Sequence, residues 1–422
     1  MHAKAHKISD RSPAGDTGRI RDEFRMLLLC ARTRVDPQQQ AQIQALARGQ
    51  LDWEFILGKA YWHSLAPMLY RNLSKVCADL VPPEIMARFE SEYMGVAKRN
   101  LVLTAELIKV LRILESGGIT AVPYKGPTLA ALAYGDVALR KFCDLDVVIR
   151  PCDIIETKSL LVSHGYQWRP FKGQVTGASE ARNFHFWNEY SFIHPDNNAT
   201  IDLHWRISHQ RFPFDIDMDE LWKHLETAQL HGHHIRVFPA EYLLLFLCDH
   251  GTKDLWWKRI GWICDIAEQL SSNPDIDWQH CLELATRTGT RRTLLLGPAL
   301  ARELLGTPLP DPVCDWIRTD STVQKLVEYV CHRMFDEESM RDRILEKQRF
   351  RIRARERFRD RIPVYRHLVS APLIKLFVPS RKDIELIELP GAPFALYYLV
   401  RPFRLAKRLW SRALHGNDTP TG

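Results

Sequence analysis

The chain has 422 residues, 45% of them hydrophobic, and a formal net charge of +7. This length exceeds the roughly 250 to 300 residues at which single cores stop growing, so we expect two or three domains. No apolar run approaches the roughly 18 residues of a membrane span, and the scattered cysteines form no Cys-x-x-Cys pair. These features exclude a membrane-spanning protein, a disulfide framework and a cysteine-based zinc site, and predict a cytoplasmic protein with reduced thiols.

The positive charge is concentrated at the C-terminal end. Residues 341–422 contain 19 Lys and Arg against 8 Asp and Glu, a net of +11, which leaves 39 against 43, or −4, for residues 1–340. The sequence therefore predicts a nearly neutral body with a basic C-terminal extension over residues 341–422.

The N-terminal quarter of the chain predicts a leader followed by helices. Residues 1–19 are polar, lack the apolar segment of a signal peptide and are expected to be a disordered leader. Residues 20–114 show helical apolar periodicity with breaks at proline, for example at Pro82 and Pro83. This pattern predicts a helical N-terminal domain over residues 20–114.

A short strand followed at once by a helix is predicted around residue 125. The strand is residues 119–124 (ITAVPY), and the loop Lys125, Gly126, Pro127 and Thr128 leads into the helix. Glycine followed by proline at the first helical position is a helix start signal. The free N–H groups of that helix start and the charge of Lys125 suit an incoming phosphate.

The segment at residues 140–149 (RKFCDLDVVI) places two acids inside an apolar, β-branched run. In a strand, Asp144 and Asp146 leave the same face because side chains alternate. Neighbouring carboxylates repel, so neutralising one should relieve strain, and a cation between them would stabilise both. A lone Asp-x-Asp is more often a turn or an exposed strand face, but the surrounding pattern favours a hard cation, Mg²⁺ or Mn²⁺.

A third acid, Asp202, lies in a similar run at residues 199–205 (ATIDLHW). If this strand lies beside the first, three carboxylates can hold two divalent ions for phosphoryl chemistry. His204 shares the strand face of Asp202. A lone histidine is more often a hydrogen-bonded structural group than a ligand or base, so both interpretations of His204 stay open.

The predicted catalytic module covers residues 115–237. Within it we expect a helix at residues 153–164, a strand from residue 165, a flexible loop over the site at residues 169–182, and a strand with Tyr190 and Phe192 that pairs with the Asp202 strand. The histidine-rich tract at residues 231–234 has no Cys or acid at ligand spacing, so it predicts a solvated turn.

From residue 238 the pattern changes to helices, which predicts a helical domain over residues 238–340. Residues 341–361 read as a solvated helix with a charged surface. Residues 401–410 (RPFRLAKRLW) combine cations with bulky apolar residues, so this segment can lie on the anionic inner face of the membrane, dock on a partner protein, or pack on its own body. The charge is compatible with nucleic acid, but the sequence carries no recognisable nucleic-acid-binding module.

The order of these motifs resembles the nucleotidyltransferase fold of the DNA polymerase β superfamily, and more narrowly a group of bacterial proteins called the uncharacterised nucleotidyltransferase family. The resemblance rests on Lys125-Gly126, Tyr134, Arg140, the acid pair, and the Asp202 strand with His204 and Trp205. It extends more loosely to residues 250–265 and 379–401. The superfamily usually has Gly-Ser where this chain has the loop from Lys125 to Thr128.

The resemblance implies an α+β fold, in which a mixed sheet is flanked by helical N- and C-terminal domains. It also implies transfer of a nucleotidyl group from a nucleoside triphosphate to an acceptor hydroxyl, with Mg²⁺ or Mn²⁺ as cofactor. Asp144 and Asp146 would hold both metals, and Asp202 would hold the second and help deprotonate the acceptor. The following residues would contact the nucleotide: Lys125, Gly126, Thr128, Arg140, His204, His250 and Lys253. His250, Lys253 and Asp265 are candidates because a helical domain closes over the nucleotide in related proteins.

Other interpretations stay open at this point. Lys125 and Arg140 can serve as counter-charges for the acids without touching substrate, and His250, Lys253 and Asp265 can simply join helices through hydrogen bonds. The altered loop is compatible with a different phosphate-linked donor such as a sugar phosphate. The chain can also be a nucleotide-binding pseudoenzyme, or a scaffold for envelope polysaccharide assembly that uses its basic end.

Overall fold

The computed structural model describes residues 21–169, 188–207, 214, 216–253, 257–335 and 344–366. The chain divides into two compact units, residues 1–357 and 358–422. In the second unit, the described residues 358–366 are helical. The leader predicted at residues 1–19, the loop predicted at residues 169–182 apart from Arg169, and the basic segment at residues 401–410 lie outside the described residues.

The N-terminal part of the first unit is helical, as the periodicity predicts. Its helices are α1 (Asp22–Cys30), α2 (Pro37–Ala47), α3 (Trp53–Trp62), α4 (Ala66–Val76) and α5 (Pro83–Ser116). Aspartate side chains cap the N-termini of α2 and α3. Asp36 accepts a hydrogen bond from the backbone N–H of Gln39, and Asp52 accepts one from the backbone N–H of Phe55. Such caps satisfy N–H groups that the first turn leaves without partners.

A mixed five-stranded sheet follows. Its strands are β1 (Ala121–Pro123), β2 (Asp144–Ile149), β3 (Gln167–Arg169), β4 (Glu189–Ile193) and β5 (Thr200–His204), in the order β1-β2-β5-β4-β3. The β2–β5 pair is parallel and the other pairs are antiparallel. Helices α6 (Gly126–Leu132) and α7 (Ile154–Ser163) connect strands of this sheet. The predicted α+β class with a mixed sheet is confirmed.

Strand β2 lies between two hydrophobic cores because its side chains alternate. Leu145, Val147 and Ile149 are fully buried in a core that includes Leu103 and Leu107 of α5. The opposite face of the strand carries Asp144, Asp146 and Val148, and Val148 belongs to the second core, together with Tyr124 and Phe246. The acids therefore leave the sheet on the face that the helical region covers.

The histidine-rich tract forms the turn of a β-hairpin. After the short helix α8 (Met218–Lys223), strands β6 (Glu226–Leu230) and β7 (His233–Val237) pair antiparallel around His231 and Gly232. Both turn residues have positive φ, +47° and +80°, as a two-residue type I′ turn requires. This agrees with the predicted solvated turn.

The rest of the first unit is helical. It consists of α9 (Ala240–Lys253), α10 (Ile260–Ser272), α11 (Trp278–Thr288), α12 (Arg291–Leu305), α13 (Asp311–Thr319), α14 (Ser321–Phe335) and α15 (Ile344–Ala354). Gly306 ends α12 in the left-handed conformation typical of a helix C-terminus. None of the described helices is long and apolar enough to cross a membrane.

The prediction of a solvated helix at residues 341–361 is wrong for its central part. Phe350 of α15 is 2% exposed, and Arg355, just after the helix, is 3% exposed. The guanidinium Nη2 of Arg355 lies 3.2 Å from Oδ1 of Asp249, a buried acid on α9. The local charge pattern could not show this, because the partner lies in a distant helix.

Candidate active site

Two of the three predicted acids are direct neighbours across paired strands. In the parallel register of β2 and β5, Asp146 lies opposite Asp202, and Asp144 lies opposite Thr200. Opposite residues of a parallel pair share a face, and strands are separated by about 4.8 Å. Asp144, Asp146 and Asp202 are thus brought to one face of the sheet, as the two apolar runs predict.

Asp146 is the central acid of this group, and two cationic side chains contact it. Its Oδ1 lies 3.0 Å from Nζ of Lys125 and 3.0 Å from Nε2 of His204. All three side chains are largely buried, with exposed fractions of 7% for Asp146, 13% for Lys125 and 8% for His204. This is a compact, nearly dry cluster of charges.

The charges of this cluster stabilise one another. Burial alone would raise the pKa of Asp146, but the charge of Lys125 and the hydrogen bond and charge of His204 outweigh burial and hold that pKa well below its usual range. Burial would lower the pKa of Lys125, but the charge of Asp146 raises it. At neutral pH, Asp146 is therefore a carboxylate and Lys125 is an ammonium.

His204 also approaches a fourth acid that the sequence analysis missed. Its Nδ1 lies 3.1 Å from Oε2 of Glu189, which is opposite His204 in the β4–β5 register. Burial would lower the pKa of His204, but the hydrogen bonds to Asp146 and Glu189 raise it to about 9. His204 is therefore an imidazolium that joins two carboxylates. The alternation of Glu189 and Ser191 with Tyr190 and Phe192 was the available signal.

For the other two acids, nearby cations and hydrogen bonds do not outweigh the effect of burial on the pKa. Burial and then the charge of Asp146 raise the pKa of Asp144. Burial raises the pKa of Asp202 to about 6, although a hydrogen bond from Ser191 and the charge of His204 act in the opposite direction. The ionised forms of Asp144 and Asp202 are therefore unfavourable in this site. A bound cation would stabilise them.

The donor set fits a hard divalent cation, since it consists of carboxylate oxygens. Within the part of the chain that the structure describes, however, no group of three or more His, Cys, Asp or Glu side chains is already arranged around a metal position. The amine of Lys125 and the ring of His204 stand at Oδ1 of Asp146 instead. A cation that binds this oxygen must displace one of them.

The loop before α6 is shaped by its contact with β2. Gly126 has φ of +53°, and a Cβ atom there would lie 3.2 Å from the carbonyl oxygen of Asp144. Both features favour glycine. Thr128 is buried, and its hydroxyl has no hydrogen-bond partner among the described residues. A buried hydroxyl without a partner is costly.

Arg140 does not contact the acid group directly. Its Nε and Nη2 donate to Oδ1 and Oδ2 of Asp265 on α10, at 2.7 and 2.9 Å, and the hydroxyl of Tyr134 donates to Oδ1 at 2.7 Å. This buried bidentate pair joins the segment before β2 to the helical region. Asp265, a candidate for phosphate or ribose contact, is fully engaged by these donors.

The two remaining candidates lie on α9. His250 is partly buried in the last turn of this helix, and the side chain of Lys253 lies outside the described residues. The main packing partners of α9 are α10, α11 and α12, and a contact of His250 or Lys253 with the nucleotide stays a prediction.

The comparisons with known proteins agree with this architecture. A family model described as "Uncharacterised nucleotidyltransferase" matches residues 49–306, which includes the acid group and α9 but not residues 379–401. No curated protein was found to match the chain.

Two solved structures show a weaker likeness. The solution structure of the antibiotic-resistance factor ANT(2'')-Ia has 10% identity and a TM-score of 0.31, over 44% of this chain and 91% of that chain. An antigenic nucleotidyltransferase-like protein from Paracoccidioides brasiliensis has 16% identity and a TM-score of 0.28, over 51% of this chain and 95% of that chain. The family match covers more than half of the chain, and on that ground the protein belongs to the uncharacterised nucleotidyltransferase family and is a transferase enzyme.

Proposed function

We propose that this protein transfers a nucleotidyl group from a nucleoside triphosphate to an acceptor hydroxyl on a small molecule, sugar, peptide or protein, and that the reaction depends on Mg²⁺ or Mn²⁺. One observation carries the proposal: Asp146 and Asp202 are register partners on adjacent parallel strands, with Asp144 on the same face. Carboxylates so placed are suited to in-line chemistry at phosphorus.

The acidic residues of the site would have different roles in the reaction. Asp144, Asp146 and Asp202 would hold the divalent ions, which when bound would neutralise charge on the triphosphate and its leaving group. Asp202 would also accept the proton of the acceptor hydroxyl. His204 and Glu189 would fix the orientation of Asp146, since His204 contacts both carboxylates.

The loop before α6 would bind the donor phosphates. In the absence of ligand the amine of Lys125 neutralises Asp146. With a divalent ion held by Asp144, Asp146 and Asp202, the amine of Lys125 would be free to bind the β and γ phosphates of the donor. Gly126 lets the backbone approach closely, and the buried hydroxyl of Thr128 is a donor without a partner among the described residues.

The more distant candidates have supporting roles in this proposal. Arg140 would act on the acids through position, because Asp265 and Tyr134 fix the segment that leads into β2. His250 and Lys253 stay predictions for contacts with the nucleotide, made after a movement of the helical region.

A transfer assay tests the proposal. The purified protein is incubated with each of the four nucleoside triphosphates, labelled at the α-phosphorus, with Mg²⁺ or Mn²⁺ and a lysate fraction as the source of acceptor. We expect label from at least one triphosphate to enter an acceptor, and EDTA to abolish the transfer.

Matched variants separate the site from the rest of the chain. Asp144→Asn should lose transfer by several orders of magnitude, whereas Asp275→Asn, a neutralised acid on an exposed loop, should retain it. Equal transfer by the two variants would show that the acid group is not the active site.

A second candidate function is nucleotide binding without turnover, and one observation favours it. Lys125 and His204 already compensate Asp146, so the cluster is stable without metal. In that case triphosphate binds, but no label moves with any acceptor fraction. A sugar-phosphate donor would instead leave all four triphosphates inactive and unbound.

A further inference from the structure

A separate cleft of about 750 Å³ lies away from the acid group, between the N-terminal helices, the end of α6 and α10. Four cations contribute to its wall: Arg32, Arg34, Arg71 and Lys75. None of them forms an ion pair within 4 Å in the described part of the chain. Burial lowers the pKa of Arg32, although Glu268 and Asp36 partly offset this effect. A cluster of cations with so little compensation attracts an anion.

The two acids that line the cleft are already engaged. Glu268 accepts from the backbone N–H and the hydroxyl of Thr33, at 3.0 and 2.6 Å. Asp136 accepts from the backbone N–H of Ala138 at 2.9 Å. The two carboxylates keep their negative charge, but four cations against two acids leave the lining of the cleft with a net charge of +2.

Two aromatic rings stand beside the cations. Tyr70 and Tyr93 line the cleft with ring centroids 5.1 Å apart and planes tilted by 35°. The hydroxyl of Tyr70 donates to Oε1 of Glu90 at 3.1 Å, which fixes that ring. Aromatic faces next to arginine side chains are suited to a planar ring that carries a phosphate.

The cleft is distinct from the proposed active site. Lys125 lies at the N-terminal end of α6, whereas the cleft is lined by Tyr134, Gly135 and Asp136 beyond its C-terminal end. The seven residues of α6 span about 10 Å. Tyr134 also donates to Asp265, the partner of Arg140, so the wall of the cleft is connected to the segment before β2.

We propose that this cleft is a second ligand site, which binds a nucleoside phosphate through Arg71, Lys75 and the neighbouring arginines, with its base against Tyr70 and Tyr93. The volume lies within the range of about 300 to 1,000 Å³ that small-molecule sites occupy. The site does not depend on group transfer at the acids.

Calorimetry on the full-length protein in EDTA tests this proposal without any turnover. The probes are AMP, GMP, CMP and UMP, with inorganic pyrophosphate as a ring-free anion. We expect at least one of the monophosphates to bind with one molecule per chain. The double variant Arg71→Gln/Lys75→Gln should weaken both that nucleotide and pyrophosphate at least tenfold. Tyr93→Leu should weaken the nucleotide fivefold or more and leave pyrophosphate unchanged.

Two controls locate the binding. Arg48→Gln/Lys98→Gln removes two exposed cations elsewhere and should leave binding intact. Lys125→Ala should also leave it intact, because Lys125 belongs to the acid cluster. The proposal is overturned if no monophosphate binds at millimolar concentration, if the Arg71/Lys75 double variant binds like its control, or if Lys125→Ala removes the binding. None of these results depends on whether the acids catalyse transfer.

Discussion

Asp146 and Asp202 lie opposite each other on β2 and β5, yet their surroundings move their pKa values in opposite directions. Lys125 and His204 lower the pKa of Asp146, whereas burial raises that of Asp202. The two register partners should therefore respond in opposite ways when each is neutralised. From the sequence, Asp146→Asn is expected to leave the fold intact and to stabilise the metal-free protein slightly, because it relieves the repulsion with Asp144. The ion pairs of Asp146 with Lys125 and His204 reverse that expectation.

Asp202→Asn should stabilise the protein at pH 8 in EDTA. A carboxyl whose pKa is raised to about 6 on folding holds its proton more tightly in the folded state, so stability falls as pH rises from about 4 to 6. The asparagine variant escapes this loss and should gain on the order of 1 to 3 kcal/mol at pH 8. Urea unfolding of the variant and the wild type at pH 8 and pH 4 measures this difference in the free energy of unfolding. The difference should vanish at pH 4.

Asp146→Asn should destabilise the protein under the same conditions. It leaves the ammonium of Lys125 and the imidazolium of His204 buried without their shared partner, a change that costs about 3 to 5 kcal/mol. The double variant Lys125→Met/Asp146→Asn also removes the buried ammonium. It should therefore recover part of the free energy of unfolding that Asp146→Asn loses. Equal stability of Asp146→Asn and the wild type would refute the charge assignment of the cluster.

Lys125→Ala separates the two roles of this lysine. If Lys125 turns to the phosphates, the variant should bind triphosphate roughly ten- to hundredfold more weakly, the worth of a charged hydrogen bond. Its affinity for Mg²⁺ without nucleotide should stay equal or improve, because a competing cation has left Asp146. Calorimetry measures both. Unchanged triphosphate affinity with weaker metal binding would assign Lys125 a purely structural role.

His63 should make the free energy of unfolding depend on pH in the acidic range, independently of the acid group. Its Nδ1 accepts from the backbone N–H of Ile260 at 3.3 Å, and burial lowers its pKa to about 3. The unfolded chain takes up this proton near pH 6.5, so stability from His63 is present above that pH and is lost as pH falls toward 3. We expect a loss of about 2 kcal/mol between pH 6.5 and pH 5. Relative to the wild type, His63→Asn should unfold with a shallower pH dependence in this interval.

The sequence predicted those features of the site that depend on local alternation. Asp144 and Asp146 share a strand face because side chains alternate, and the similar run around Asp202 identified the neighbouring strand. The helix start at Gly126 followed from its glycine and proline.

The missed features are pairings between distant residues. Arg140 and Asp265 are 125 residues apart, and Asp249 and Arg355 are 106 apart. The sequence around each of these residues does not indicate which distant residue it pairs with. The contact of Lys125 with Asp146 was also open, because a lysine beside a helix start can serve a phosphate or a carboxylate equally well.

The position of the label in the transferred group tests the central claim most directly. The wild-type protein is given one triphosphate labelled at the α-phosphorus and the same triphosphate labelled at the γ-phosphorus, in parallel with Asp144→Asn and Asp275→Asn. The account predicts that the wild type and Asp275→Asn move only the α label into the acceptor and release the γ label as pyrophosphate, while Asp144→Asn does neither. Transfer of the γ label, or full transfer by Asp144→Asn, would contradict nucleotidyl transfer at these carboxylates.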